Sequence, residues 1–264
     1  MKRMRIVGLC LVAAFALSAI GAGSASALPE IGKCVAKAGG KYTNANCTTA
    51  GKGSFEFVKT ITKKGFTSAG GEGILEGASG TVISCKTQSA TGEYKGTTSF
   101  KEVQHVKATF KGCELPLFKA ECKTKGAALG EITTTDLTGK LAYTSGKGGK
   151  TPKVNQGLTP LVKKKGFALF ECPAVGVEVY VGEGKEKGHE TILAEVTPLN
   201  TMALTSTQVY AGSKGVQTPQ FVEGKATVID NLESSLAGPK GTFERSDQAL
   251  ETVVTNEEEL EIKA

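Results

Sequence analysis

Tryptophan is absent from these 264 residues, and Arg245 is the only arginine beyond the first five positions. Histidine occurs twice, at His105 and His189, and aspartate three times, at Asp136, Asp230 and Asp247. There is no C-x-x-C pair and no G-x-S-x-G elbow. Each absence removes a class of function. Phosphate and base-edge recognition lean on the bidentate guanidinium fork, so nucleic acid is not an expected partner. A calcium loop needs closely spaced aspartates, and these three are scattered. A shared metal centre needs cysteines one turn apart or a histidine beside them, so no metal and no cofactor is expected. A hydrolase triad needs a base next to its nucleophile. His105 falls mid-strand on a lysine-bearing face and His189 follows the turn Lys185–Gly188. Both read as exposed structural histidines.

What is present begins with a leader. MKRMR is basic, Ile6 to Ile20 is almost wholly apolar, and Gly21 to Ala27 is a run of small residues. That layout predicts a secretory signal peptide over 1–27, cleaved after the Ala25-Ser26-Ala27 box. The apolar run is short for a membrane span, which takes about 20 residues. Cys10 lies inside it and is expected to leave with it. The remaining 237 residues from Leu28 are enough for a sizeable core and are read as one extracellular domain, 28–264, with no membrane span after cleavage.

Six cysteines remain: Cys34, Cys47, Cys85, Cys113, Cys122 and Cys172. An even number in an exported chain reads as disulfides. Cys34 and Cys47 have twelve residues between them, a loop whose closure restricts the unfolded chain by about 3 kcal/mol in the entropic view. Sequence leaves the connectivity open. Pairing local cysteines first gives Cys34–Cys47, Cys113–Cys122 around ELPLFKAE, and Cys85–Cys172 between distant strands.

Glycine contributes 34 residues and falls every few positions, with threonine and valine between. Such short runs bounded by turn residues predict an all-β fold, a sandwich or barrel of short antiparallel strands stapled by disulfides. Strands are expected at Ser54–Val58, Thr81–Thr87, Thr97–Lys111, Gly130–Thr134, Lys140–Thr144, Gly166–Cys172, Val175–Val181, Thr191–Thr197, Met202–Tyr210, Lys225–Asp230 and Leu250–Thr255. Pro173 marks a hairpin turn, and Leu232–Ala237 reads as a helical turn.

The stretch LPEIGKCVAKAGGKYTNANCT, with the later cysteines in ISCK, GCE, AECK and FEC, resembles a group of uncharacterised secreted proteins of actinobacteria. The resemblance covers most of the chain after the leader. It implies export. The group has no assigned activity, so no functional residue is carried over.

Few motifs suggest chemistry. Gly149, Lys150 and Thr151 end a near match to a phosphate-binding loop, but Thr144 replaces the first glycine and Pro152 follows, so a solvated hairpin loop is the reading. Glycosidase chemistry needs two carboxylates, for which Glu131, Asp136, Glu171, Glu178 and Glu195 are available among many surface acids. Sugar platforms are scarce, with 11 Phe and 5 Tyr. Residues 101–165 hold 13 lysines against 5 acids, and residues 223–264 carry a net −6. Lys163, Lys164 and Lys165 are candidate contacts for an anionic cell-wall polymer, set against the plainer reading of a solvated face. The chain therefore reads as a secreted, non-catalytic structural or binding protein, extracellular or associated with the cell envelope. The alternative is a secreted hydrolase or carbohydrate-binding module acting on wall glycans.

Overall fold

The structure is a computed structural model that describes residues 29–145, 151–182, 191–220 and 232–264. The expected leader 1–27 with Cys10, the expected strand Lys225–Asp230, His189, and Gly149 and Lys150 lie outside the described residues. Among the described residues, all regular structure is strand apart from four single-turn 3-10 helices. No helix among them is long and apolar enough to cross a membrane.

In chain order the strands are β1 (Glu30–Tyr42), β2 (Ala50–Val58), β3 (Gly65–Gly77), β4 (Val82–Cys85), β5 (Thr87–Lys95) and β6 (Glu102–Lys111). Next come β7 (Glu114–Leu115), β8 (Ala120–Glu121), β9 (Lys123–Thr124), β10 (Glu131–Thr133), β11 (Leu137–Ser145), β12 (Lys153–Pro160) and β13 (Ala168–Cys172). The chain ends through β14 (Val177–Val181), β15 (Ile192–Thr197), β16 (Ala203–Ser213), β17 (Val216–Thr218), β18 (Leu232–Ser235) and β19 (Glu244–Lys263). Leu232–Ala237 is thus not helical: its first four residues form β18, held by pairing to β14 and β19.

Eight of these strands close on themselves. β19 pairs with β3, β3 with β5, β5 with β6, β6 with β11, β11 with β12, β12 with β15, β15 with β16, and β16 with β19. Every pairing is antiparallel, so the fold is a barrel. Closure leaves its eight strands without a free edge. A second course of strands continues the wall at one end. It runs from β6 through β10, β9, β13, β14 and β18 back to β19. Thr124 joins β9 to β10, its Oγ1 accepting the Thr133 N–H at 2.9 Å. The hairpin of β1 and β2 packs outside and is clipped by Cys34–Cys47.

Alternation explains which side chains enter. On β19, Ser246, Leu250, Thr252, Val254 and Asn256 are buried while Glu251, Val253, Thr255 and Glu257 are exposed. On β5, Gln88, Ala90, Gly92 and Tyr94 are buried and every intervening residue is exposed. A two-residue period makes this inevitable once one face is enclosed. β6 departs from the simple alternation at His105, which has φ 52°. Register shifts there on both sides, so Val103 and Val106 both point inward.

The disulfides are Cys34–Cys47, Cys85–Cys113 and Cys122–Cys172. The first pairing is as expected; the expected Cys85–Cys172 and Cys113–Cys122 are not formed. Register explains why. Ser84 pairs with Glu114, Glu114 with Glu121, and Glu171 with Lys123. One step along each ladder sets Cys85, Cys113, Cys122 and Cys172 in a row across neighbouring strands. Joining the middle two would strand the outer two about 14 Å apart, three strand spacings, beyond disulfide reach.

Candidate functional site

The barrel is not filled. Where the two courses of strands meet, a cavity of about 120 Å³ remains. Its walls are largely apolar, with Leu158, Ile192, Phe170, Val181 and Leu250 among them. Phe66 closes it toward the far end of the barrel. The Phe66 ring takes the space over Gly92, where a Cβ would come within 2.4 Å of it, and packs on Tyr94 at a centroid distance of 5.1 Å. Behind it the Tyr94 hydroxyl donates to Asn256 Oδ1 at 2.7 Å. This end is therefore packed and hydrogen-bonded.

Polar groups inside the cavity come from glutamine, serine, threonine and tyrosine. Gln208 Nε2 donates to Gln156 Oε1 at 2.5 Å, and the Tyr210 hydroxyl donates to Gln208 Oε1 at 3.3 Å. Burial pushes the Tyr210 phenol well above its ordinary pKa, so it stays a neutral donor. Gln88 Nε2 donates to Ser68 Oγ at 3.4 Å. That bond turns the Gln88 carbonyl away from Ser68. Gln88 Oε1 and Thr252 Oγ1 are both buried without a hydrogen-bond partner. Each such group costs about 1–3 kcal/mol when left unmade, and natural interiors carry few.

These two atoms come from one level of the wall. Gly70 on β3 pairs with Gln88 on one side and with Thr252 on the other. A Cβ at Gly70 would lie 3.3 Å from Gln88 Oε1 and 3.1 Å from Leu250 Cδ1, and only 2.7 Å from the Glu251 carbonyl oxygen. Glycine is required there by the close approach: Gln88 Oε1 and Leu250 Cδ1 lean over it from one side, and Thr252 is its partner on the other. Among the described residues lining the cavity there is no Asp, Glu, Lys, Arg or His.

The residues that the sequence singles out lie elsewhere. Glu131 and Glu195 are half-buried, and Asp136, Glu171 and Glu178 are exposed. Glu195 pairs with Lys153 at 3.2 Å, and Glu171 approaches Lys123 at 3.9 Å. None of the five lines the cavity. His105 is exposed on the β6 bulge. Lys163, Lys164 and Lys165 form an exposed 3-10 turn between β12 and β13. Thr144 lies near the end of β11, which pairs with β12, and Thr151 and Pro152 are followed by the start of β12 at Lys153, a strand and not a helix. Among the described residues, no group of three or more His, Cys, Asp or Glu is placed to hold a metal ion. Of the six cysteines, Cys85 lines the cavity, already bonded to Cys113.

The polar residues of the cavity, Gln88, Gln156, Gln208 and Thr252, are not among the candidates read from sequence. The usable signal was the stretch TQSATGEYK, where residues of one parity are Gln, Ala, Gly and Tyr and the other parity is Thr, Ser, Thr, Glu and Lys. The chain matches no protein-family model, no curated protein and no solved structure.

Proposed function

We propose that this chain is an exported, non-catalytic binding protein whose ligand occupies the interior of the barrel. The observation that carries the reading is the cavity of about 120 Å³, apolar on most sides, into which two buried polar atoms point without partners. An apolar cavity of about 150 Å³ in a folded protein can hold benzene, so the space here suits a ligand of similar bulk or the end of a longer apolar molecule. Ligand sites of this kind join apolar walls to a few placed polar groups, and barrel interiors are among their usual positions.

Export is supported by the layout of residues 1–27, by the resemblance to secreted actinobacterial proteins, and by six cysteines all engaged in disulfides. The hydrolase alternative has less support. The carboxylates available for it lie on the wall's outer surface or its turns, apart from the cavity.

Toluene tests the reading. Thermal unfolding of the chain beginning at Leu28 is followed with and without toluene near saturation, where a ligand that binds only the folded state raises the midpoint. Ala108, buried on β6, lines the cavity and serves as the control. Ala108→Leu fills the space, so its midpoint is expected not to respond. A rise in the parent chain that is lost in this variant supports the reading. No rise in either overturns it.

A further inference from the structure

Resting on that reading of the same cavity, we propose that the two unpaired atoms flanking Gly70 select a neutral ligand bearing one hydroxyl or N–H group, which donates to Gln88 Oε1 and engages the Thr252 hydroxyl. Three observations carry this. The first is position. Gln88, Gly70 and Thr252 sit directly opposite one another on three adjacent strands. Neighbouring strands lie about 4.8 Å apart, and the long Gln88 side chain reaches back over the glycine, where its oxygen comes within 3.3 Å of the missing Cβ. Both side chains thus face the cavity at one level of the wall, where a single ligand polar group meets the two of them.

The second observation is chemical. Gln88 Oε1 is an acceptor only, with its amide nitrogen already turned to Ser68 Oγ. The ligand atom facing it must carry a hydrogen. Thr252 Oγ1 both donates and accepts, so a ligand hydroxyl satisfies the pair completely: it gives its proton to Gln88 and takes one from Thr252. An N–H group satisfies Gln88 and can also donate to Thr252. Gln88 is 6% exposed and Thr252 is 3% exposed, so bulk water does not serve either.

The third observation is charge. Among the described lining residues nothing ionises near neutral pH, Tyr210 being held neutral by burial. An isolated carboxylate or ammonium would enter without a counter-charge at a cost of several kcal/mol. The cavity is matched instead to an uncharged body with one polar tip, such as a phenol, a small alicyclic alcohol or an indole-like ring. A site built to hydrogen-bond a hydroxyl rejects the analogue without one, because its own groups are then left unpaired.

Phenol and toluene differ in little but this tip. Calorimetric titration of each into the chain beginning at Leu28 is expected to give at least a tenfold preference for phenol. Thr252→Val keeps the shape and removes the hydroxyl, and Gln88→Met keeps the length and removes the amide. In either variant the phenol-to-toluene ratio is expected to fall to within about threefold. Two variants are used so that a folding failure in one leaves the other informative. Equal affinities in the parent chain, as with a water held between the two atoms only, would overturn the selection while leaving a binding cavity. A phenol preference unchanged in both variants would also overturn it. Binding of neither compound would overturn both the selection and the binding reading beneath it.

Discussion

Cys113 and Cys122 are hydrogen-bonded neighbours, the Cys122 N–H donating to the Cys113 carbonyl at 3.0 Å, yet their sulfurs bond to different partners. They are the middle pair of four cysteines in one row across neighbouring strands. Each bonds outward, to Cys85 and Cys172, so the row ties three parts of the chain together with two bridges. Non-reducing peptide mapping is expected to recover Cys85–Cys113, Cys122–Cys172 and Cys34–Cys47. Replacing Cys85 with serine frees Cys113 beside an existing disulfide, and exchange through a thiolate needs only such access. Cys85→Ser is therefore expected to yield Cys113–Cys122 with a free thiol at Cys172. Recovery of Cys122–Cys172 intact with Cys113 free would count against the row.

A buried hydroxyl without a partner costs stability, and one with a partner supplies it. Buried Thr252 and half-buried Thr138 give the comparison. Thr252 Oγ1 has no partner, whereas Thr138 Oγ1 donates to the Val103 carbonyl at 2.8 Å. In the ligand-free protein, Thr252→Val is expected to raise the free energy of unfolding by about 1 kcal/mol, and Thr138→Val to lower it by about the same amount. Urea denaturation of the two variants checks both signs. A loss at Thr252 would mean that the hydroxyl is satisfied in solution.

Glu30 anchors the start of β1. It is buried, pairs with Lys59 at 2.6 Å and with Lys101 at 3.6 Å, and accepts the Ser99 hydroxyl at 2.5 Å. Burial pushes its carboxyl up, but the Lys59 and Ser99 hydrogen bonds and the Lys101 charge outweigh that and hold it below the ordinary 4.5. The folded chain thus binds fewer protons here than the unfolded chain. Its contribution to stability is present in full above the unfolded value and is lost as pH falls through the lower, folded one. Glu30→Gln is expected to cost about 1 kcal/mol at pH 7 and to flatten the fall in stability below pH 4.5, as read from urea midpoints across pH 3–7. An unchanged pH profile would remove Glu30 from the account of acid unfolding.

The all-β character was legible because valine, threonine and glycine set a two-residue period over much of the chain. The expected strands at Gly166–Cys172, Val175–Val181 and Thr191–Thr197 correspond to β13, β14 and β15, and the Pro173 turn joins the first two. Four of the longer strands were not legible, β1, β3, β5 and β12, nor were the short β7, β8, β9, β17 and β18. β5 alternates without a break, but its inward residues are Gln88, Ala90, Gly92 and Tyr94. β3 presents glycines inward at Gly70 and Gly73, and β12 buries Asn155 and Gln156. Small and polar side chains at the inward positions of a strand remove the apolar signal by which strands are recognised. On β3, β5 and β12 some of these residues, Gly73, Gln88, Ala90 and Gln156, also line the cavity. The disulfide connectivity was hidden for a different reason: it follows from register between distant strands, which cysteine spacing does not contain.

The most direct measurement is a crystal structure of the chain beginning at Leu28 grown or soaked with phenol. The expected density is a ring among Leu158, Ile192 and Leu250, with its oxygen within hydrogen-bond distance of Gln88 Oε1 and Thr252 Oγ1. A barrel interior collapsed onto itself, or a cavity holding water alone between those two atoms with phenol excluded, would contradict the assignment of the cavity as a ligand site.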